Sequence, residues 1–393
     1  MTEPGLLDGD FYRFEELLAD DERERLHALR DFLAKEVAPI ANRAWSRAEF
    51  PFEVIPGLAA LNIAGTAYEE VPGPAPSALL AGFLSLELSH TDPSIGTFWG
   101  VHSGLAMGSI AHCGSPEQRA RWLPAMGRME LIGAFGLTEP QGGSDVAGGL
   151  RTVARRDGDG WVLDGAKRWI GNGTFADLMI VWAKDAETGK VLGFVVGKDN
   201  PGMTTTAIQH KIALRTVQNA DVVLDGCHVP ESDRLQNARS FRDTAEILRR
   251  TRSGVAWSSV GVMLAAYEIA RRYSVEREQF GRPIAAFQLV QDLLVRMLGN
   301  VTGALGMCVR LAQLQDNGEY RDEHSALAKA YCTTRMREVV GWARELLAGN
   351  GIVLDYDIGR FVADAEALYS YEGTREINTL VVGRAITGLS AFV

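Results

Sequence analysis

The feature that most constrains the fold is a change of texture along the chain: helical periodicity, then short β-type runs, then helical periodicity again. From Phe14 to Ala44, apolar residues recur at helical spacing among charges (Leu17, Leu18, Leu26, Leu29, Phe32, Leu33 and Val37), and Ser77 to Leu88 forms a second apolar run. Ser115 followed by Pro116 reads as a helix start, with serine as N-cap and proline in the first turn. Between about residues 131 and 240, glycines cluster at Gly142-Gly143 and Gly148-Gly149. Short β-type runs appear there at Trp161–Leu163, Leu178–Ala183, Gly193–Val196 and Val222–Leu224, parted by turn residues such as Asp157-Gly158-Asp159-Gly160. Long amphipathic runs then cover Phe241–Ser274, Ala286–Gln315 and His324–Leu347, and a shorter one begins near Thr374. The regular strand–helix alternation of a doubly wound sheet is missing. The pattern predicts a mostly α protein with a central β-domain: a helical domain over 1–130, a small antiparallel sheet domain over 131–240 and a helical domain over 241–393.

A net charge of −10 argues against a nucleic-acid or anionic-membrane surface, so anionic ligands have to be met by local basic groups and backbone N–H clusters. Cys113, Cys227, Cys308 and Cys332 form no C-x-x-C pair and no Cys/His cluster with zinc spacing; they read as buried reduced thiols, and no metal is expected. The start, MTEPGLLDGDFYRFEELL, is acidic and lacks the basic opening of a signal peptide and the Arg-rich look of a transit peptide. No uncharged apolar run approaches the ~20 residues that span a bilayer. A cytoplasmic protein is the expectation.

Gly171-Asn172-Gly173-Thr174-Phe175-Ala176 matches a dinucleotide fingerprint, but that fingerprint follows a strand and opens a helix, whereas the next segment here, Leu178–Trp182, reads as a strand. A loop is predicted instead. Three other motifs carry chemistry. In Phe135-Gly136-Leu137-Thr138-Glu139-Pro140-Gln141-Gly142-Gly143-Ser144-Asp145, two glycines let the backbone approach a ligand, and free N–H groups with the Thr138 and Ser144 hydroxyls suit a polar ring edge or a phosphate. Taken alone, it reads better as a polar β-turn. Glu276-Arg277-Glu278-Gln279-Phe280-Gly281-Arg282-Pro283, followed by Phe287-Gln288, breaks two long helices; Arg277 and Gln288 suit a pyrophosphate or ribose, and a helix–loop–helix corner is the plain alternative. Tyr371-Glu372-Gly373-Thr374 opens the last helix with Thr374 as N-cap. A carboxylate held in an apolar cleft there has a raised pKa and can take a carbon-bound proton; a capping turn is the alternative.

Together the motifs GLTEPQGGSD, KRWIGNG, EREQFGRPI…FQ, LAGNGI and YEGTREI stand in one order, and over nearly its whole length the chain resembles the acyl-CoA dehydrogenase family. The C-terminal run GRAITGLSAF makes the glutaryl-CoA dehydrogenase branch the nearest likeness. The resemblance implies a three-domain fold, an acyl-CoA substrate, FAD as cofactor, electron-transfer flavoprotein as electron acceptor and a homo-oligomer, in this family usually a tetramer. It implies that Phe135, Leu137, Thr138, Gly143 and Ser144 meet the flavin, with Ser144 also near substrate, and that Trp169, Ile170 and Gly171 line the other side of the ring. Arg277, Gln279, Phe280 and Gln288, together with Glu345, Leu346, Ala348 and Gly349, would bind FAD of a neighbouring subunit, while Thr374 and Glu376 touch it in their own. The acyl-CoA would meet Gly96, Thr97, Leu248, Arg249, Arg252, Gly373 and Phe392. Glu372 would remove the α-proton while the β-hydrogen leaves as hydride. One relative of the fold places its base near the position of Thr251, which cannot serve as a base, so Glu372 is the candidate.

Two departures matter. Glutaryl-type enzymes carry an Arg and a Glu at positions that here are Gly96 and Ser89, with Phe98 and Trp99 nearby; and the usual Trp-Ile-Thr reads Trp169-Ile170-Gly171. The first points to an unbranched short or medium acyl group without a distal charge. The second keeps open a flavin oxidase or monooxygenase on the same scaffold, and a non-catalytic acyl-CoA-binding protein is the third reading.

Overall fold

The computed structural model describes residues 9–392; the first part of the acidic start weighed above lies outside them. The first helical layer comprises α1 (Asp20–Phe32), α2 (Ala38–Arg47), α3 (Ile55–Ala60), α4 (Ala78–Thr91), α5 (Pro93–Trp99), α6 (Gly108–Cys113) and α7 (Pro116–Gly127). The single run read from Phe14 to Ala44 is divided. A 3₁₀ turn at Phe14–Leu17 precedes α1, and a π-helical turn at Leu33–Val37 joins α1 to α2. Helix α4 is buried on every side, consistent with its nearly continuous apolar sequence. Helix α7 opens on the predicted N-cap: Ser115 Oγ accepts from Gln118 N, and the Gln118 side chain returns the bond to Ser115 N.

The central domain is a seven-stranded sheet: β1 (Gly133–Gly136), β2 (Val153–Asp157), β3 (Gly160–Ile170), β4 (Leu178–Asp185), β5 (Val191–Gly197), β6 (Met203–Ala207) and β7 (Ala220–Pro230), ordered β1-β4-β2-β3-β7-β6 with β5 on β4. It is not the purely antiparallel sheet predicted, because β4 pairs in parallel with both β1 and β2. Strand β1 arrives directly from the helical layer and is buried along its whole length, the environment of a parallel strand covered on both faces. It therefore shows no alternation for a sequence reading to catch. The Gly171–Phe175 segment is a turn leading into β4, as the rejected fingerprint required.

The last domain is built from α8 (Phe241–Glu276), a two-residue hairpin of β8 (Glu278–Gln279) and β9 (Arg282–Pro283), then α9 (Gln288–Asp316), α10 (Asp322–Leu346), α11 (Ile358–Ser370) and α12 (Arg375–Thr387). Helix α11 is an addition to the sequence reading. Asp364 ties the three domains: its buried Oδ1 accepts from Trp45 Nε1 at 2.8 Å and from Leu214 N at 2.6 Å. Burial and the nearby Asp92 push the Asp364 carboxyl up to about 7. All four cysteines are buried free thiols. By length and composition alone α9 is apolar enough to cross a bilayer. The charges Asp292, Arg296 and Arg310 hide this helix from a search for an uncharged run.

Candidate active site

Glu372 sits between α11 and α12 in a left-handed backbone conformation (φ 54°), followed by Gly373 at φ 80°. Two consecutive positive φ angles fold the chain back so that Thr374 can start α12, its Oγ1 accepting from Ile377 N at 3.3 Å. The half-buried Glu372 carboxylate faces α8, where Thr251 Oγ1 donates to Oε2 at 3.0 Å. Withdrawal from water pushes the Glu372 carboxyl above the ordinary value; the Thr251 bond and the charges of Arg252 and Lys329 oppose that shift. Thr251 thus has a part that the sequence reading missed when it set the residue aside as no base. Tyr371 points to α5: Thr97 Oγ1 donates to Pro93 O at 2.8 Å, leaving its oxygen to accept from the Tyr371 hydroxyl at 3.4 Å.

The wall opposite Glu372 is the helix running from α5 through the π-helical turn Gly100–Met107. A side chain at Gly100 would meet nothing within 4 Å, and one at Gly104 would meet only Thr251 Cγ2 at 3.2 Å. The sequence reading passed over both glycines: Gly104 sits against Thr251, the residue that holds the carboxylate, and Gly100, one turn earlier on the same wall, leaves open space. Gly96 turns elsewhere: its missing Cβ would stand 2.3 Å from Ser89 Oγ, so the two positions that depart from the glutaryl pattern abut. Ser89 Oγ is buried with no hydrogen-bond partner among the described residues.

Of the other residues proposed for substrate, Arg252 is buried and pairs with Asp322 at 2.6 Å. Arg249 pairs with Glu246 and lies over the Tyr320 ring. Leu248 packs on the apolar cluster beneath the sheet. Phe392, beyond α12, has Arg384 6.0 Å from its ring centre.

The sheet faces the same region through the ends of β1 and β3. Phe135 and Leu137 are buried, Thr138 is half-buried, and Gly143 and Ser144 are exposed. Arg168 N donates to Thr138 O at 2.8 Å, tying the Thr138 loop to β3. Underneath, the buried Lys167 ammonium donates to Leu137 O at 3.2 Å and to Glu139 Oε1 at 2.9 Å. Glu139 also accepts from Arg151 N, Thr152 N and Thr152 Oγ1. Burial works against the Glu139 charge, yet Lys167 and the Thr152 bonds hold its carboxyl below the usual range, while burial brings Lys167 down to about 8. This pair fixes the loop carrying Thr138. Glu139 lies in the loop after β1 and Lys167 on β3, and no short-range spacing links the two in sequence.

Trp169 adopts φ 64° and stays 52% exposed, whereas Ile170 beside it is buried. Val101 of the helical wall lies 3.1 Å from where a Gly171 Cβ would stand. Asn172, which the sequence reading did not single out, donates to Phe98 O and Gly133 O and so locks the helical layer to the sheet.

The remaining proposed cofactor residues gather elsewhere. Arg277 caps α8, and Gln279, Phe280 and Gln288 are exposed on and after the hairpin, Phe280 at 93%. Asn350 Nδ2 donates to Tyr273 Oη at 3.0 Å, which brings the turn after α10, with Glu345, Leu346, Ala348 and Gly349, to the same end of α8. Leu346 is buried there; Glu345, Ala348 and Gly349 are exposed, and Gly349 has open space where a Cβ would be. Thr251 and Arg277 lie on one helix, separated by about 39 Å at 1.5 Å per residue. Each chain therefore carries two clusters, one around Glu372 and one at the far end of α8. Thr374 and Glu376 stay with the first.

Three family models match this chain in succession: acyl-CoA dehydrogenase N-terminal domain over residues 19–130, middle domain over 134–227 and C-terminal domain over 241–387. A Bacillus subtilis (strain 168) acyl-CoA dehydrogenase is 31% identical over 365 residues, covering 92% of this chain and 96% of that protein. A glutaryl-CoA dehydrogenase from Mycobacterium smegmatis superposes with a TM-score of 0.92 at 36% identity, covering 96% of this chain and 97% of the other. A second structure of a glutaryl-CoA dehydrogenase from that organism, in complex with FADH2, gives 0.93 at 32% identity over 97% and 98%.

Proposed function

The chain belongs to the acyl-CoA dehydrogenase family, FAD-dependent oxidoreductases of acyl-CoA thioesters, and from that premise we propose that Glu372 is its base and that its FAD site is divided between subunits. The observation that carries the base is the half-buried Glu372 carboxylate, held by Thr251, which also faces Gly104 of the helical wall.

The residues present fit FAD. The backbone at Gly143 is unobstructed, Thr138 and the Trp169–Gly171 strand end face the same opening, and a side chain at Gly349 in the far cluster would meet nothing within 4 Å. FAD, when bound, supplies the hydride acceptor for the β-hydrogen. The chain's own residues do the rest. Lys167 and Glu139 hold the Thr138 loop, Trp169 and Ile170 wall the opening, and Glu372 takes the α-proton from a thioester lying along Gly100 and Gly104. The backbone N–H of Glu372, turned by its positive φ, is the donor for the developing enolate oxygen. An anaerobic screen of acyl-CoAs that follows bleaching of the bound flavin tests this reading; absence of bleaching by every saturated acyl-CoA contradicts it.

The division of the FAD site rests on the ~39 Å along α8 between Thr251 and Arg277. Arg277 is exposed and has no ion-pair partner among the described residues. The exposed Leu289 and Val295 of α9, at 81% and 69%, give a neighbouring subunit apolar surface to cover. A homotetramer, with electron-transfer flavoprotein receiving the electrons, is the assembly this reading carries forward. Arg277→Ala and Gln288→Ala are each expected to lower FAD content and oligomer size together, because mass action couples the two. Flavin content measured against sedimentation mass checks this; a monomeric variant that retains full FAD overturns the shared site.

A further inference from the structure

We propose that Lys329 is a positioning residue for the catalytic base, holding the Glu372 loop in its productive form by bonding the backbone on both sides of it. The inference rests on the reading of Glu372 as base. Lys329 lies on α10, is fully buried, and donates from Nζ to Tyr369 O at 2.9 Å and to Gly373 O at 2.7 Å. Among the described residues no carboxylate pairs with it. Burying an ammonium is unfavourable unless its protons are satisfied, and a methionine would fill the same space without that cost. The two carbonyls explain its presence.

Tyr369 O belongs to the last turn of α11, where carbonyls lack intrahelical partners and carry the negative end of the helix dipole. Gly373 O is the carbonyl of the second left-handed residue, and Asn378 Nδ2 supports it from α12 at 2.8 Å. A non-glycine residue at φ 54° persists only where its surroundings hold it. Lys329 pins the entry to that turn and its exit at once, and so fixes where the Glu372 carboxylate and N–H point.

The ammonium also acts on Glu372 through space. The groups facing the carboxylate are Thr251 and Arg252 from α8, Lys329 from α10, and the Tyr371–Thr97 pair toward α5; Glu376 lies at the exposed start of α12. Arg252 is already matched by Asp322, which leaves Lys329 as the unmatched positive charge among them. Burial brings Lys329 down to about 8, and the Glu372 charge opposes that shift.

The test compares Lys329→Met, Lys329→Gln and Lys329→Arg holoenzymes with Glu372→Gln, following anaerobic flavin bleaching by butyryl-CoA across pH. Lys329→Met is expected to retain FAD and to keep KM within about threefold, while kcat falls about 10- to 100-fold, the range of a charge-assisted hydrogen bond. The acid limb of its kcat/KM profile moves to higher pH, because the charge favouring carboxylate is gone. Lys329→Gln shows the same shift of the acid limb with a smaller fall in kcat, and it carries the test alone if the methionine variant does not fold. Lys329→Arg restores the acid limb. A folded Lys329→Met or Lys329→Gln with an unchanged acid limb and wild-type kcat, beside an inactive Glu372→Gln, overturns the positioning role and leaves the base intact. An active Glu372→Gln overturns both.

Discussion

Glu372→Gln is expected to leave a folded protein that still holds FAD and binds acyl-CoA, and to lose at least about 10²–10⁴-fold in the rate of flavin bleaching, the usual contribution of a general base. The amide keeps the shape and can still accept the Thr251 hydroxyl bond, so the change isolates proton removal. In the native protein, burial raises the Glu372 pKa. The base is active only when deprotonated, so activity is expected to fall as pH drops through that raised pKa, above the ordinary carboxylate range. The Thr251 hydrogen bond and the charges of Arg252 and Lys329 limit the shift. Stopped-flow bleaching under anaerobic conditions measures both effects. Near-normal bleaching by the glutamine variant sinks the assignment.

Glutaryl-CoA is expected to be a poor substrate beside butyryl-CoA, by roughly a hundredfold in kcat/KM, although two glutaryl-CoA dehydrogenases are among the structures most like this one. At Gly96 and Ser89 the described residues offer a hydroxyl without a partner and no cation. Arg360, beside the α4–α5 junction, is engaged with Asp92, and the arginines weighed for substrate are also paired: Arg252 with Asp322 and Arg249 with Glu246. A distal carboxylate would be buried unpaired at a cost of several kcal/mol. About 2.7 kcal/mol of lost differential binding corresponds to the hundredfold. Release of carbon dioxide should be absent or slow, since nothing positions the carboxylate. Steady-state comparison of the two substrates with an artificial electron acceptor checks this, and a clear preference for glutaryl-CoA with carbon dioxide release overturns it.

The elements were legible where local chemistry writes them. Ser115 and Gln118 announce α7, Thr374 announces α12, and the amphipathic runs of α8, α9 and α10 were found nearly to their ends. Legibility failed where burial is two-sided or the signal is glycine. Strand β1 has no alternation because both of its faces are covered, and the wall at Gly100–Met107 is a π-helical turn that no 3.6-residue period describes.

The site divides in the same way. The sequence by itself determined the family, the three-part architecture and the identity of the candidate base, because residue types at short spacings survive as motifs whatever surrounds them. Only the tertiary structure decided what governs that base. Thr251 and Lys329 stand far from Glu372 in sequence, and they reach it because α8 and α10 cross beneath the α11–α12 turn. The same holds for Lys167 of β3 under Leu137, thirty residues away in sequence, whose contact depends on how the strands stack in the sheet. Short-range spacing carries residue identity and local conformation, whereas pKa, hydrogen-bond partners and open space depend on which atoms lie within a few ångströms after packing.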